Sequence, residues 1–149
     1  MTTTTTTTPA DARMLGLAHY AARAVLESVL ARHDLGFQQQ IVLRPVALAA
    51  GPVDRGRLAA DTVAALKAGE ASVQGTIDEL ITAGLVATDA SDLRITDAGR
   101  ELYERITKET GAASARIWGG IPEADLVTTG RVLTLITELA NAELAAMTK

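Results

Sequence analysis

Glu70 to Gly99 reads EASVQGTIDELITAGLVATDASDLRITDAG, and two changes of periodicity inside it decide the fold. Val73, Ile77, Leu80 and Ile81 recur at i, i+4, i+7 and i+8, the spacing of a single helix face. Gly84 follows where a helix C-cap belongs. Leu85-Val86-Ala87-Thr88 and Leu93-Arg94-Ile95 then form two short strand-like runs. The turn-forming residues Asp89-Ala90-Ser91-Asp92 join them at hairpin spacing. Thr96 is placed to cap a new helix, and Asp97 falls in its first turn, where the helix dipole favours a negative charge.

Upstream of this stretch, Asp54 is an N-cap for a helix that turns Leu58, Ala59, Thr62, Val63 and Leu66 inward, and Gly69 separates that helix from the next. Gly51-Pro52 breaks the chain before it. The apolar run Phe37 to Ala50 suits a further helix, which Pro45 is expected to kink or split. Gly36 closes a long first helix, Asp11 to His33. Its polar positions, Arg13, Gly16, Tyr20, Arg23 and Glu27, form one narrow stripe, and nearly everything else is apolar. A surface helix usually buries about 100° of its circumference. This one calls for more, so it runs through the middle of a domain or packs on a second copy. Downstream, the helix opened by Thr96 extends to about Ile117 and Gly119-Gly120 breaks it. A sixth helix begins at Pro122, Glu123 and Asp125 and carries Leu133, Ile136, Leu139 and Leu144 at helical spacing.

Composition agrees with a helical protein. The 149 residues are 48% hydrophobic but only 3% aromatic, and the dominant Ala and Leu are the best helix formers. The absence of cysteine excludes disulfides, thiol catalysis and Cys-ligated zinc. No apolar run approaches the ~18 residues of a membrane span. Met1, Thr2 to Thr8 and Pro9 lack the charged and apolar regions of a signal peptide. Residues 1–10 are therefore expected to be a disordered tail on a cytoplasmic protein. His19 and His33, fourteen positions apart, do not have metal-ligand spacing, and neither a nucleophile elbow nor a phosphate loop is present. No enzyme activity, cofactor or metal is expected.

The resulting architecture is mostly α with a small β-hairpin wing. A winged helix-turn-helix lobe over 35–102 is flanked by dimerisation helices over 11–34 and 103–149. Three short helices followed by a hairpin form a unit whose third helix can enter the major groove, while the hairpin lies along the neighbouring backbone. Dimerisation through the apolar end helices would set two reading helices one DNA turn apart, about 34 Å.

The sequence resembles the MarR family of winged-helix regulators. The resemblance is carried by Ile77-Asp78-Glu79-Leu80, Ala83-Gly84-Leu85-Val86 and Leu93-Arg94-Ile95-Thr96-Asp97-Ala98-Gly99-Arg100-Glu101-Leu102. It implies a dimer built from the terminal helices, with Glu70 to Ala83 as reader. For many relatives it also implies a small-molecule pocket between the dimer arm and the DNA-binding lobe. Relatives often carry basic residues where this chain has Gly75 and Glu79, and an arginine at the wing tip, for which Arg94 is the nearest substitute.

Candidate DNA contacts follow from these placements. Ser72, Gln74 and Thr76 lie near the start of the reader: Gln can contact adenine bidentately and Ser a phosphate or base edge. The simpler alternative is a solvated helix start with Ser72 as its cap and Thr76 facing the core. Arg55, Arg57 and Lys67 flank the preceding helix and could hold phosphates, or simply be solvated. Ser91 and Arg94 are the wing candidates. His19, Tyr20, Arg23 and Trp118 form an aromatic and cationic set suited to an aromatic acid, with ordinary packing as the alternative. His33 is expected in the last turn of the first helix, favourable to its dipole. From Leu35 to Thr96 five cationic residues face seven acidic ones, so modest DNA affinity is expected. The expected function is a homodimeric DNA-binding transcriptional regulator, acting as a repressor because promoter occupancy requires only binding. Its partners would be double-stranded DNA, a second copy and a small-molecule effector, with no membrane. The alternative is a dimeric winged-helix ligand- or protein-binding module with little specific DNA affinity.

Overall fold

The structure, a computed structural model, describes residues 8–149; most of the expected N-terminal tail lies outside the described residues. Asp11 caps the first helix, its side chain accepting the Met14 N–H at 2.8 Å. The element order is α1 (Ala12–Ala31), α2 (Phe37–Leu48), β1 (Val53–Asp54), α3 (Arg55–Leu66), α4 (Glu70–Thr82), β2 (Val86–Asp89), β3 (Asp92–Ile95), α5 (Asp97–Trp118) and α6 (Glu123–Met147). This is a mostly α winged-helix fold. Two compact units divide at Gly111 and Ala112, so that α6 and the last turns of α5 form the second. No helix among the described residues is long and apolar enough to cross a membrane.

The core of the first unit is built where the helical periodicities meet. Val73, Ile77 and Leu80 of α4, Val42, Leu43 and Val46 of α2, Leu30 of α1, Leu93 of β3 and Ile106 of α5 are all fully buried. Thr76 completes the inner face of α4, and its hydroxyl is accommodated by hydrogen bonds described below. Each such apolar side chain contributes about 1.5–3 kcal/mol by leaving water, and together they oblige α2 and α4 to lie against each other.

Several expectations are corrected. Pro45 does not split its helix: α2 continues through it to Leu48. Proline lacks the N–H that would bond one turn back, but Val42, Leu43, Val46 and Ala47 on both sides of it are buried, and packing holds the helix where propensity would break it. The hairpin becomes a three-stranded sheet of order β1-β3-β2, because Val53 and Asp54 pair with Leu93 and Asp92. Its loop is shorter than expected, since Asp89 and Asp92 pair and leave Ala90 and Ser91 to turn the chain, Ala90 with φ 55°. Ser72 is not a helix cap; Gly69 occupies that position without a side-chain bond. His33 lies beyond the end of α1, and its Nε2 meets Glu109 Oε1 of α5 at 3.0 Å.

Gly84 closes α4 as expected, with φ 73°. The Leu85 N–H bonds to Leu80 O at 3.0 Å and the Gly84 N–H to Ile81 O at 3.0 Å, the paired bonds of a Schellman turn. Thr96 then links three elements. Its hydroxyl donates to Gly84 O at 2.6 Å and accepts the Gly99 N–H at 3.0 Å, while its own N–H bonds to Leu85 O at 3.2 Å. Gly99 is required by this crossing, because a Cβ there would overlap the Leu85 carbonyl.

These contacts set up two opposite glycine substitutions. Gly99→Ala should lower unfolding free energy by about 3 kcal/mol through overpacking against backbone. Gly75→Ala, with open space around its position in α4, should raise it by about 0.5–1 kcal/mol through helix propensity. Urea midpoints at constant m-value report both.

Candidate nucleic-acid interface

The inner face of α4 consists of Val73, Thr76, Ile77 and Leu80. Its outer face therefore carries Ser72, Gln74, Gly75, Asp78 and Glu79, set by the 3.6-residue period. Amide side chains from the start of α2 orient this helix. Gln38 Nε2 donates to Thr76 Oγ1 at 2.8 Å, Ser72 Oγ at 3.1 Å and Ser72 O at 3.2 Å. Two amide hydrogens serve three acceptors, so one of them is shared. Gln39 accepts the Gly36 N–H through Oε1 at 2.8 Å and donates through Nε2 to Glu79 Oε2 at 2.8 Å. Gly36 has no side chain to complete a capping box, so Gln39 supplies one half of it and ties α2 to α4.

The wing side of α4 is held by Arg55, the first residue of α3. Asp54 caps that helix, accepting the Arg57 N–H at 2.8 Å. The same turn aims the Arg55 side chain at α4. Its Nε donates to Gln74 Oε1 at 2.9 Å and its Nη2 to Asp78 Oδ1 at 2.8 Å. The backbone N–H of Arg55 bonds to Ser91 O in the hairpin loop at 3.1 Å. One residue thus joins the wing tip, the start of α3 and the outer face of α4.

The sequence-derived candidates separate accordingly. Ser72 is exposed, Gln74 half-buried, and Ser91 exposed at the hairpin turn. Thr76 is 6% exposed, and its hydroxyl donates to Ser72 O at 3.1 Å while accepting from Gln38. Its place in the core takes it off the surface a partner would touch. Arg55 is engaged within the chain. Arg57 is exposed, with Asp61 at 3.9 Å, too long for a firm bond. Lys67 is exposed in a left-handed cap, its Nζ donating to Ala64 O at 2.6 Å. Arg94 stands exposed on β3 opposite Ala87, and no carboxylate among the described residues pairs with it.

Charge at the wing works against phosphate. Asp54 pairs with Asp92 and Asp92 with Asp89, which sets three aspartates abreast across the sheet at its turn end. Like charges directly opposite one another destabilise a strand pair. They would also repel a nucleic-acid backbone beside Arg94.

The ligand candidates are placed less closely. His19 and Tyr20 meet edge to face at 5.9 Å between ring centres. The Arg23 guanidinium lies 4.1 Å from the Phe37 ring centre and bonds to Glu27 Oε1 at 3.0 Å. Arg23 lines a groove of about 530 Å3 together with Phe37, Gln38, Thr76 and Glu79. His19 and Tyr20 are not among its walls. Trp118 belongs to the second unit and is exposed. Among the described residues no cluster of His, Cys, Asp or Glu could hold a metal ion.

Sequence reasoning missed Gln38, Gln39 and Asp78 as organisers of the site. The amide run Gln38-Gln39-Gln40 at the start of an apolar helix was the available signal, because consecutive glutamines point to three sides of a helix and at least one must meet a neighbour.

No family model matches the sequence, and no curated protein matches it. Solved structures do. The chain is similar to CouR from Rhodococcus jostii RHA1, solved bound to p-coumaroyl-CoA, at 23% identity and TM-score 0.71, over 83% of this chain and 89% of that one. It is similar to ligand-free NadR at 23% identity and TM-score 0.73, over 89% and 98% of the two chains. A MarR-family transcriptional regulator from Rhodococcus sp. RHA1 superposes at 22% identity and TM-score 0.69, over 83% and 91%. Coverage of 89–98% of these chains agrees with the architecture derived above. The chain has the winged-helix fold of the MarR-family transcriptional regulators.

Proposed function

We propose that this chain is a homodimeric, DNA-binding transcriptional regulator of the MarR type, acting in the cytoplasm as a repressor whose occupancy a small molecule modulates. The observation that carries this reading is the outward face of α4. It presents Ser72 and Gln74 to solvent, is braced by α2 and lies beside the wing, in a fold shared with transcriptional regulators. Of the candidate cations, Arg57, Lys67 and Arg94 remain for phosphates, with Ser72, Gln74 and Ser91 as the polar contacts. Thr76 has no part in the contact, and Arg55 acts through Gln74. The reading includes no catalytic step and no cofactor.

The dimer is supported by surface that a single chain leaves uncovered. Of the 20 residues of α1, only Val29 and Leu30 are buried, and α6 buries none. Leu17 is 53% exposed in the first unit and Leu139 is 61% exposed in the second. Exposed large apolar side chains along each of these helices are surface that association would cover. Ligand response is supported by CouR, solved with p-coumaroyl-CoA, and by NadR, solved with 4-hydroxyphenylacetate. In this chain the groove at Arg23 and Phe37 is the place to look, with His19, Tyr20 and Trp118 as outlying candidates.

A second reading, a dimeric winged-helix module that binds a ligand or protein with little specific DNA affinity, is favoured by one observation. The row of Asp54, Asp92 and Asp89 sits where a wing would approach the backbone.

Sedimentation tests the dimer that both readings share, and DNA titration decides between them. In sedimentation at micromolar concentration the protein should run as a dimer, and Leu17→Glu or Leu139→Glu should yield single chains with unchanged circular dichroism. In anisotropy titrations, duplex from beside its own gene should bind more tightly than random duplex, with an affinity that falls as salt rises. Arg94→Ala should reduce the log–log salt slope by about one. Asp89→Asn should strengthen binding by up to about twofold at low salt, the effect in water of one unscreened charge near 10 Å. Equal affinity for random duplex would establish the module reading instead.

A further inference from the structure

An unrestrained glutamine on a reading helix presents a carbonyl acceptor and an amino donor side by side, the match to the N6 donor and N7 acceptor of adenine. Gln74 is not unrestrained. Arg55 Nε donates to its Oε1 at 2.9 Å. A guanidinium carries donors alone, so the amide group facing Arg55 has to be the carbonyl. Turning the amide over would lose this bond and set donor against donor.

Arg55 in turn cannot easily move away. Asp78 Oδ1 accepts from its Nη2 at 2.8 Å, and its backbone N–H is bonded to Ser91 O at 3.1 Å. Its side chain is 29% exposed, so the guanidinium is partly shielded from competing water. Asp78 follows Gln74 by one helical turn, which places both partners of the guanidinium on the same side of α4. The amide is therefore presented with Nε2 away from Arg55.

We propose that Gln74 is a specificity determinant that selects guanine rather than adenine, because the bond to Arg55 holds its carbonyl toward the guanidinium and turns the amino group toward the base. Guanine offers such a donor two adjacent acceptors, O6 and N7, whereas adenine sets an amino donor beside its N7, thymine offers O4 alone and cytosine only an amino donor. The inference rests on the reading of α4 as a groove-entering helix.

The test is selection of bound sites from a random duplex library by the full-length protein and three variants. Gln74→Ala identifies the base step concerned, as the position whose preference disappears. At that step the wild type should enrich guanine over adenine by roughly fivefold or more, the discrimination of one good base contact. Arg55→Met, which releases the carbonyl, should shift the step toward adenine. Gln74→Glu, which keeps the bond to Arg55 but replaces the donor by an acceptor, should abolish the guanine preference; this variant tests the idea even if Arg55→Met does not fold. Inosine in place of guanine should bind equally, since its major-groove edge is the same. Adenine enriched by the wild type, or guanine retained by Gln74→Glu, would overturn this inference alone. A wild type that enriches no sequence would overturn the DNA-binding reading with it.

Discussion

The crossing of α5 over the start of β2 is the constraint on which the lobe depends. Gly84 ends α4 in a left-handed turn, and the Thr96 hydroxyl is bonded to its carbonyl. The same hydroxyl caps α5 at Gly99, whose missing side chain lets helix backbone meet the Leu85 carbonyl. Three elements are thereby referenced to one point. The axis of α4, the base of the wing and the departure of α5 cannot shift independently, because each shift would strand a polar group or force two backbones together. Whatever α4 presents to a partner is presented relative to this junction.

Around it the chain relies on directional side-chain hydrogen bonds, most of them with a charged partner. Gln38 and Gln39 connect α2 to α4, and Arg55 connects α3, α4 and the wing. Hydrogen bonds are short-ranged and directional, so they fix orientation. The electrostatic field is set by the carboxylates, three of which line up at the turn end of the sheet.

The parts of the fold legible in the sequence are those controlled by neighbours a few residues away. Asp11 and Asp54 cap helices through side-chain bonds to residues three positions on. Gly84 follows the four-residue apolar face of α4, and the hairpin announces itself by its turn residues. The misread features answer to distant partners. β1 is two residues long and exists because β3 lies beside it. Pro45 stays in a helix because the core grips both sides of it. The left-handed positions fall at Asp34, Lys67 and Ala90, as well as at Gly84, where sequence reading looks first to glycine. His33 leaves α1 to reach Glu109, a contact 76 residues away.

The candidate site divides in the same way. Sequence alone determined where α4 lies, which residues share its outer edge, and that the lobe carries more acid than base, because helical period and charge count are local or additive properties. Tertiary structure decided which of those residues remain free to act. Thr76 turned inward to Gln38, Arg55 was engaged by Gln74 and Asp78, and Arg94 was left without a carboxylate partner. A side chain's availability depends on the groups that packing brings within 3 Å of it, and those come from parts of the chain that no local pattern connects.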